Sequence, residues 1–113
     1  MHELSIATSI VDIASKQAIA ANAASVSQVE LDIGTMSGIE YGSLEFALTV
    51  AVRDTPLENT EFVINRIEPL CECLSCQELF TPEGNYGSCP LCGGNTLEFI
   101  RGKELKIKSL LVD

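Results

Sequence analysis

Two short cysteine pairs, Cys73-Leu74-Ser75-Cys76 and Cys89-Pro90-Leu91-Cys92, constrain this chain more than any other feature. Each C-x2-C makes a tight turn that aims two sulfurs at one point. Together the turns offer four thiolates, a closed tetrahedral set for one metal ion. Gly93 and Gly94 follow the second pair and give its backbone freedom to close. Gln77 follows the first pair. Zinc is the expected ion, and iron would also suit a tetrahedral set of four sulfurs. A redox dithiol fits poorly, because that chemistry uses a single C-x2-C near a βαβ unit. The region is too small for a core of its own, so the ion is expected to hold it up. Cys71 is the fifth cysteine. Its one-residue spacing to Cys73 is too short for the standard turn, so it reads as a spare thiol, with a ligand swap or binding of a transferred metal as alternatives.

The odd count of five cysteines, four of them paired in this way, favours a reducing compartment and a metal site over disulfides. Seven basic and sixteen acidic side chains give a formal charge of −9. Nucleic-acid binding is disfavoured, since it needs clustered Lys and Arg to neutralise phosphates. A protein that handles cations or docks on a basic partner suits the charge, as does plain solubility. No apolar run reaches the roughly 20 residues that cross a bilayer, so no membrane segment is expected. The N-terminus has no basic stretch before its apolar positions and does not read as a signal peptide. A cytoplasmic protein is the expectation.

Residues 3 to about 22 read as an amphipathic helix. Leu4, Ala7, Ile10, Val11, Ala14 and Ala18 share one side, joined by Ile6 and Ile13, and so wide a face is expected to pack on a sheet. Val29, Leu31 and Ile33 alternate with polar neighbours, the pattern of a half-buried strand. A second helix is expected near 41–53, with Leu44, Ala47, Leu48 and Ala51 on one face. Phe62 to Glu68 reads as a strand rich in β-branched residues. Strand, helix, strand in this order predicts a parallel crossover. Glu104 to Leu111 reads as another strand, with Leu105, Ile107 and Leu111 inward and Lys106 and Lys108 outward. Its natural place is in the first sheet. The predicted fold class is therefore α+β: a mixed three-stranded sheet with two helices, plus an inserted zinc-ribbon-like domain. Residues 1–69 and 100–113 form the first domain and 70–99 the second.

His2 is the only histidine. The four cysteines already complete a metal site, so it is free for other work. Its imidazole, its own amide nitrogen and the α-amine of Met1 can chelate one ion in adjacent rings, and nitrogen donors in a plane suit Ni(II) or Cu(II). The bulk of His2 favours retention of Met1. Taken alone, an N-terminal histidine is more often simply solvated.

The opening Met1-His2-Glu3-Leu4-Ser5, the strand from Val29 to Ile33 running into Gly34, the inserted pair of C-x2-C turns and the closing Gly102-Lys103-Glu104-Leu105 together resemble the HypA-type nickel metallochaperones of hydrogenase maturation. The resemblance covers essentially the whole chain. It implies a nickel-binding domain carrying a zinc domain, with nickel held through His2 and nearby backbone nitrogens. It implies a part for Glu3 in nickel-site geometry, and a carboxylate near the nickel at Glu40, where Asp is frequent in the family. Cys71 and Gln77 depart from the family pattern, the first by being a cysteine and the second by not being glycine. The implied function is a non-enzymatic nickel carrier serving [NiFe]-hydrogenase and also urease maturation. The implied partners are the hydrogenase large subunit and an accessory GTPase, with the carrier itself a monomer or weak homodimer. Other readings of the residues are a zinc-ribbon protein-interaction module without nickel transfer, and a rubredoxin-like electron carrier.

Overall fold

The computed structural model describes residues 2–82 and 87–113, and of His2 the backbone alone. The chain runs α1 (His2–Ala20), β1 (Val26–Gly34), α2 (Tyr41–Ala51), β2 (Glu61–Ile67), β3 (Leu70–Cys73), β4 (Leu79–Phe80), β5 (Leu97–Arg101) and β6 (Leu105–Val112). The strands form two three-stranded sheets, ordered β2-β1-β6 and β4-β3-β5. The radius of gyration is 17.5 Å, against about 13 Å for a compact chain of this length, and the longest dimension is 54 Å. The two sheets therefore lie along an elongated body rather than around one core.

In the first sheet β1 pairs parallel with β2 and antiparallel with β6. The strand-helix-strand crossover and the mixed three-stranded sheet expected from the sequence are both present. Val29, Leu31 and Ile33 are fully buried beneath the helices, with Leu44, Leu48 and Leu57 against them. Helix α1 ends at Ala20, two positions before the expected end near residue 22. Asn22 takes a left-handed φ of 56°, and the Ala23 N–H donates back to the Ala18 carbonyl at 2.9 Å, closing the helix.

Two expectations about faces are corrected. Helix α1 lies against α2 as well as the sheet. Its small residues Ala7, Ala14 and Ala18 are fully buried, as close packing of one helix on another requires, while Leu4 and Ile13 remain 41% and 47% exposed. Leu111, expected inward on β6, is instead 55% exposed. The cause is a bulge. Leu31 pairs with Ile107 but Glu30 pairs with Ser109, which leaves Lys108 as the extra residue. Beyond it the alternation reverses phase, so Leu110, opposite Val29, packs on the core in place of Leu111.

The two sheets meet where three backbones come within contact. A Cβ on Gly34, at the end of β1, would overlap the Gly102 carbonyl, and a Cβ on Gly102 would overlap Pro69. Gly102 itself has a φ of 116°. Hydrogen bonds lock the crossing: Gly34 N–H to the Glu104 carbonyl and Met36 N–H to the Gly102 carbonyl, each at 2.8 Å. Arg101 Nε also donates to the Glu68 carbonyl at 3.1 Å. Only glycine allows main chains to approach this closely.

Candidate functional site

The second sheet and its loops build a sulfur cage. Cys71 and Cys73 lie two apart on β3 and both point to the buried side, as strand alternation requires. Beyond β3 the chain turns back on itself, with Gln77 N–H donating to the Cys73 carbonyl at 2.7 Å. The second pair repeats the device, with Gly93 N–H donating to the Cys89 carbonyl at 2.9 Å. Gln77 and Gly93 hold the same place in the two turns, with φ of 67° and 77°. The departure at Gln77 thus puts a side chain where the backbone is left-handed.

The sulfurs of Cys73, Cys76, Cys89 and Cys92 lie within 4.8 Å of one another. Cys73 Sγ is 3.5 Å from Cys92 Sγ, and Cys76 Sγ is 3.8 Å from Cys89 Sγ. A tetrahedron with metal–sulfur bonds of about 2.3 Å has edges of about 3.8 Å. The cage therefore has the dimensions of a four-thiolate metal site. Backbone N–H groups point at the sulfurs: Leu91 to Cys89 and Gly94 to Cys92, both at 3.3 Å. Without an ion the sulfurs ionise unequally. The Cys76 N–H outweighs burial at Cys73 and, with the Ser75 N–H, holds its thiol at about 6. At Cys76 the Glu78 N–H favours the thiolate, but burial and the sulfurs of Cys73, Cys92 and Cys89 oppose it and push the thiol up to about 12. A divalent cation resolves this conflict by neutralising clustered thiolates.

Cys71 takes no part in the cage. It is fully buried between its strand partners Phe80 and Phe99, and burial pushes its thiol up. It serves as a small core side chain. Among the described residues of this sheet region the buried apolar side chains are Cys71, Cys73, Cys89 and Pro82. A core this thin supplies little stability by itself.

At the end of the first sheet that adjoins the junction with the second, the first turn of α1 meets the start of α2. Met1 and the His2 side chain lie outside the described residues, and the His2 backbone opens α1. Glu3 Oε2 accepts from the Glu40 N–H at 3.4 Å. Glu40 in turn caps α2: its carboxylate accepts from the N–H groups of Gly42 and Ser43, each at 3.0 Å, and from the Ser43 hydroxyl. These donors, Gly42 first, hold its carboxyl below the usual range. Glu3 and Glu40 are thus brought together beside the N-terminal turn. The capping role was not legible, since glutamate is not among the favoured N-cap residues. Tyr41 was also missed. Its hydroxyl donates to the Ile33 carbonyl at 3.2 Å, and Arg66 stacks over its ring at 4.3 Å, which pins the start of α2 to the sheet. No signal in the sequence marked it.

The family model described as "Hydrogenase/urease nickel incorporation, metallochaperone, hypA" matches residues 1–112. A hydrogenase maturation factor HypA of Parabacteroides distasonis is 39% identical over 112 residues, covering 99% of this chain and 97% of the relative. One of Prosthecochloris aestuarii is 40% identical over 115 residues, with both chains fully covered. The solution structure of the Ni metallochaperone HypA from Helicobacter pylori superposes with a TM-score of 0.72 at 20% identity, over 97% of this chain and 96% of the other. A second solution structure of a HypA protein gives 0.77 at 23% identity, over 99% and 96%. The two structures share the fold. The match of the whole sequence decides the rest: the chain belongs to the HypA family of nickel-incorporation metallochaperones.

Proposed function

We propose that this chain carries Ni(II) at its N-terminus and delivers it during [NiFe]-hydrogenase maturation, with urease as a further client. Nickel is cargo here. His2 binds it together with the backbone nitrogens of residues 1 and 2, and Glu3 and Glu40 stand nearby as carboxylates that shape the site. Zinc is the resident ion. Cys73, Cys76, Cys89 and Cys92 hold it, and it supplies structure, not chemistry. Residues 1–69 and 100–113 act as the nickel-binding domain and 70–99 as the zinc domain. The chain is not an enzyme: it works in the cytoplasm as a monomer or weak homodimer, with the hydrogenase large subunit and an accessory GTPase as partners.

The observation that carries this reading is the self-sufficiency of the sulfur cage. Four sulfurs at tetrahedral spacing complete one metal site without any histidine, which leaves the N-terminal donors to a second ion of different chemistry. A site at a chain end is readily dismantled by a partner without unfolding the core. Because the donors must be deprotonated, nickel affinity is expected to fall between pH 7.5 and 5, as a histidine of ordinary pKa, about 6.5, takes up its proton.

The test is a calorimetric Ni(II) titration of zinc-loaded protein, wild type against His2→Ala. One equivalent bound by the wild type and lost in the variant, with zinc retained, supports the carrier. Unchanged nickel binding in His2→Ala refutes it.

A further inference from the structure

We infer that the outer edge of β6 and the cleft between β6 and α1 form a docking site for an extended, acidic segment of a partner protein, which adds to the sheet as a fourth strand. β6 is the last strand of its sheet. The Gly34 N–H bonds to the Glu104 carbonyl, so residues 104 and 106 direct their backbone groups toward β1. By antiparallel alternation the N–H and C=O groups of Leu105 and Ile107 then face outward, unpaired by any described strand. Beside that edge runs a cleft of about 340 Å³, floored by Ile6, Ile10 and Ile107 and flanked by Ile13 and Leu105. Ile13 and Leu105 are 47% and 43% exposed, so apolar surface lies open next to open backbone. An edge strand with an apolar groove against a helix is the arrangement that binds extended peptides: main-chain hydrogen bonds give affinity and every second side chain enters the groove.

The occupant's charge follows from the sequence. Four of the seven cationic residues, Arg101, Lys103, Lys106 and Lys108, fall within eight positions at and before this strand, in a chain whose net charge is −9. Lys106 is exposed and lines the cleft, and no ion pair engages it among the described residues. A strand added outside β6 lies about 4.8 Å from it and about twice that from the acidic β1, so β6 dominates its electrostatic surroundings. A second copy of this chain is disfavoured, because β6 paired with β6 about Lys106 or Ile107 sets lysines opposite lysines, and each β6 brings a cationic strand to the other. A segment alternating acidic and apolar residues satisfies edge, groove and charge together. This site goes beyond the nickel reading and does not depend on it.

The test uses the full chain loaded with zinc and free of nickel, with backbone amides followed by NMR. The probe is a capped octapeptide alternating glutamate and valine, and its counterpart carries lysine in place of glutamate. The acidic peptide is expected to shift the Leu105 and Ile107 amides and slow their hydrogen exchange, binding at least tenfold more tightly than the basic one. Lys106→Glu is expected to invert that preference, and Ile13→Asp to weaken the acidic peptide at least tenfold. Both residues are exposed, so unchanged thermal unfolding will show that the variants fold. Equal affinity for the two peptides, shifts confined to β2 or the cysteine region, no shift at millimolar peptide, or concentration-dependent shifts at 105 and 107 without peptide would each overturn the proposal.

Discussion

Replacing Gly34 by alanine tests the junction between the two sheets most directly. The added methyl would land on the Gly102 carbonyl and against Lys103 N, and both obstacles are backbone, so no side-chain rotation relieves the clash. The chain has to part at this point. Parting lengthens or breaks the bonds from Gly34 N–H to Glu104 and from Met36 N–H to Gly102, each now 2.8 Å. Two such bonds contribute about 1 kcal/mol each, and forcing a methyl into a filled site costs about 1–3 kcal/mol. The expected loss is about 3–5 kcal/mol, a large share of the roughly 5–15 kcal/mol that holds a domain together. With a urea dependence of about 2 kcal/mol per molar, the unfolding midpoint should fall by about 2 M. The assay is urea unfolding of zinc-loaded protein followed by circular dichroism, with amide exchange at residues 34 and 36 to localise the damage. A midpoint within about 0.3 M of wild type would refute the reasoning, since it would mean the crossing is loose enough to admit a side chain.

Three further outcomes follow from the same geometry. Gln77→Gly should stabilise the cysteine region by about 1 kcal/mol, because a left-handed backbone penalises any side chain; slower release of zinc to a chelator is the readout. Stripping the metal with a chelator should abolish amide protection across β3 and β5 while Val29 and Leu31, in the apolar core of the other sheet, stay protected; simultaneous loss in both sheets would contradict it. Glu40 has a carboxyl held below its usual range, so its cap is fully present above the ordinary glutamate pKa, about 4.3, and is lost as pH falls through the lower folded value. Protection of the Gly42 and Ser43 amides, taken relative to their intrinsic exchange rates, should therefore be lost as acid protonates Glu40, and Glu40→Gln should flatten that dependence.

Much of the fold was readable from local pattern. Alternation at Val29, Leu31 and Ile33 gave the strand and its buried face correctly, and the 3.6 period gave Leu44, Ala47 and Leu48 as the inward side of α2. The cysteine spacing separated Cys73, Cys76, Cys89 and Cys92 from Cys71, and the sulfur cage agrees. Three features were not readable. Leu111 failed because a bulge at Lys108 shifts the phase, and no residue type marks a bulge of that kind. The breadth of the apolar face on α1 was taken for sheet contact, yet a helix buries alanines equally well on another helix. The cap at Glu40 escaped because its partners, two N–H groups and a hydroxyl, depend on how the loop enters the helix.

The sequence by itself determined which segments are helix or strand, which four cysteines have the spacing that gathers their sulfurs in one cage, and that the chain is strongly acidic. These are short-range properties, set by periodicity and by residue spacing within a few positions. Only the tertiary structure decided the register of β6, the passage of Gly34, Pro69 and Gly102 through one crowded crossing, and the place of β6 at the open edge of its sheet. Each depends on segments 33 to 86 residues apart meeting in space. Which partner a strand or a backbone turn meets is fixed by the packing of the whole, and that packing leaves no periodic trace in the chain.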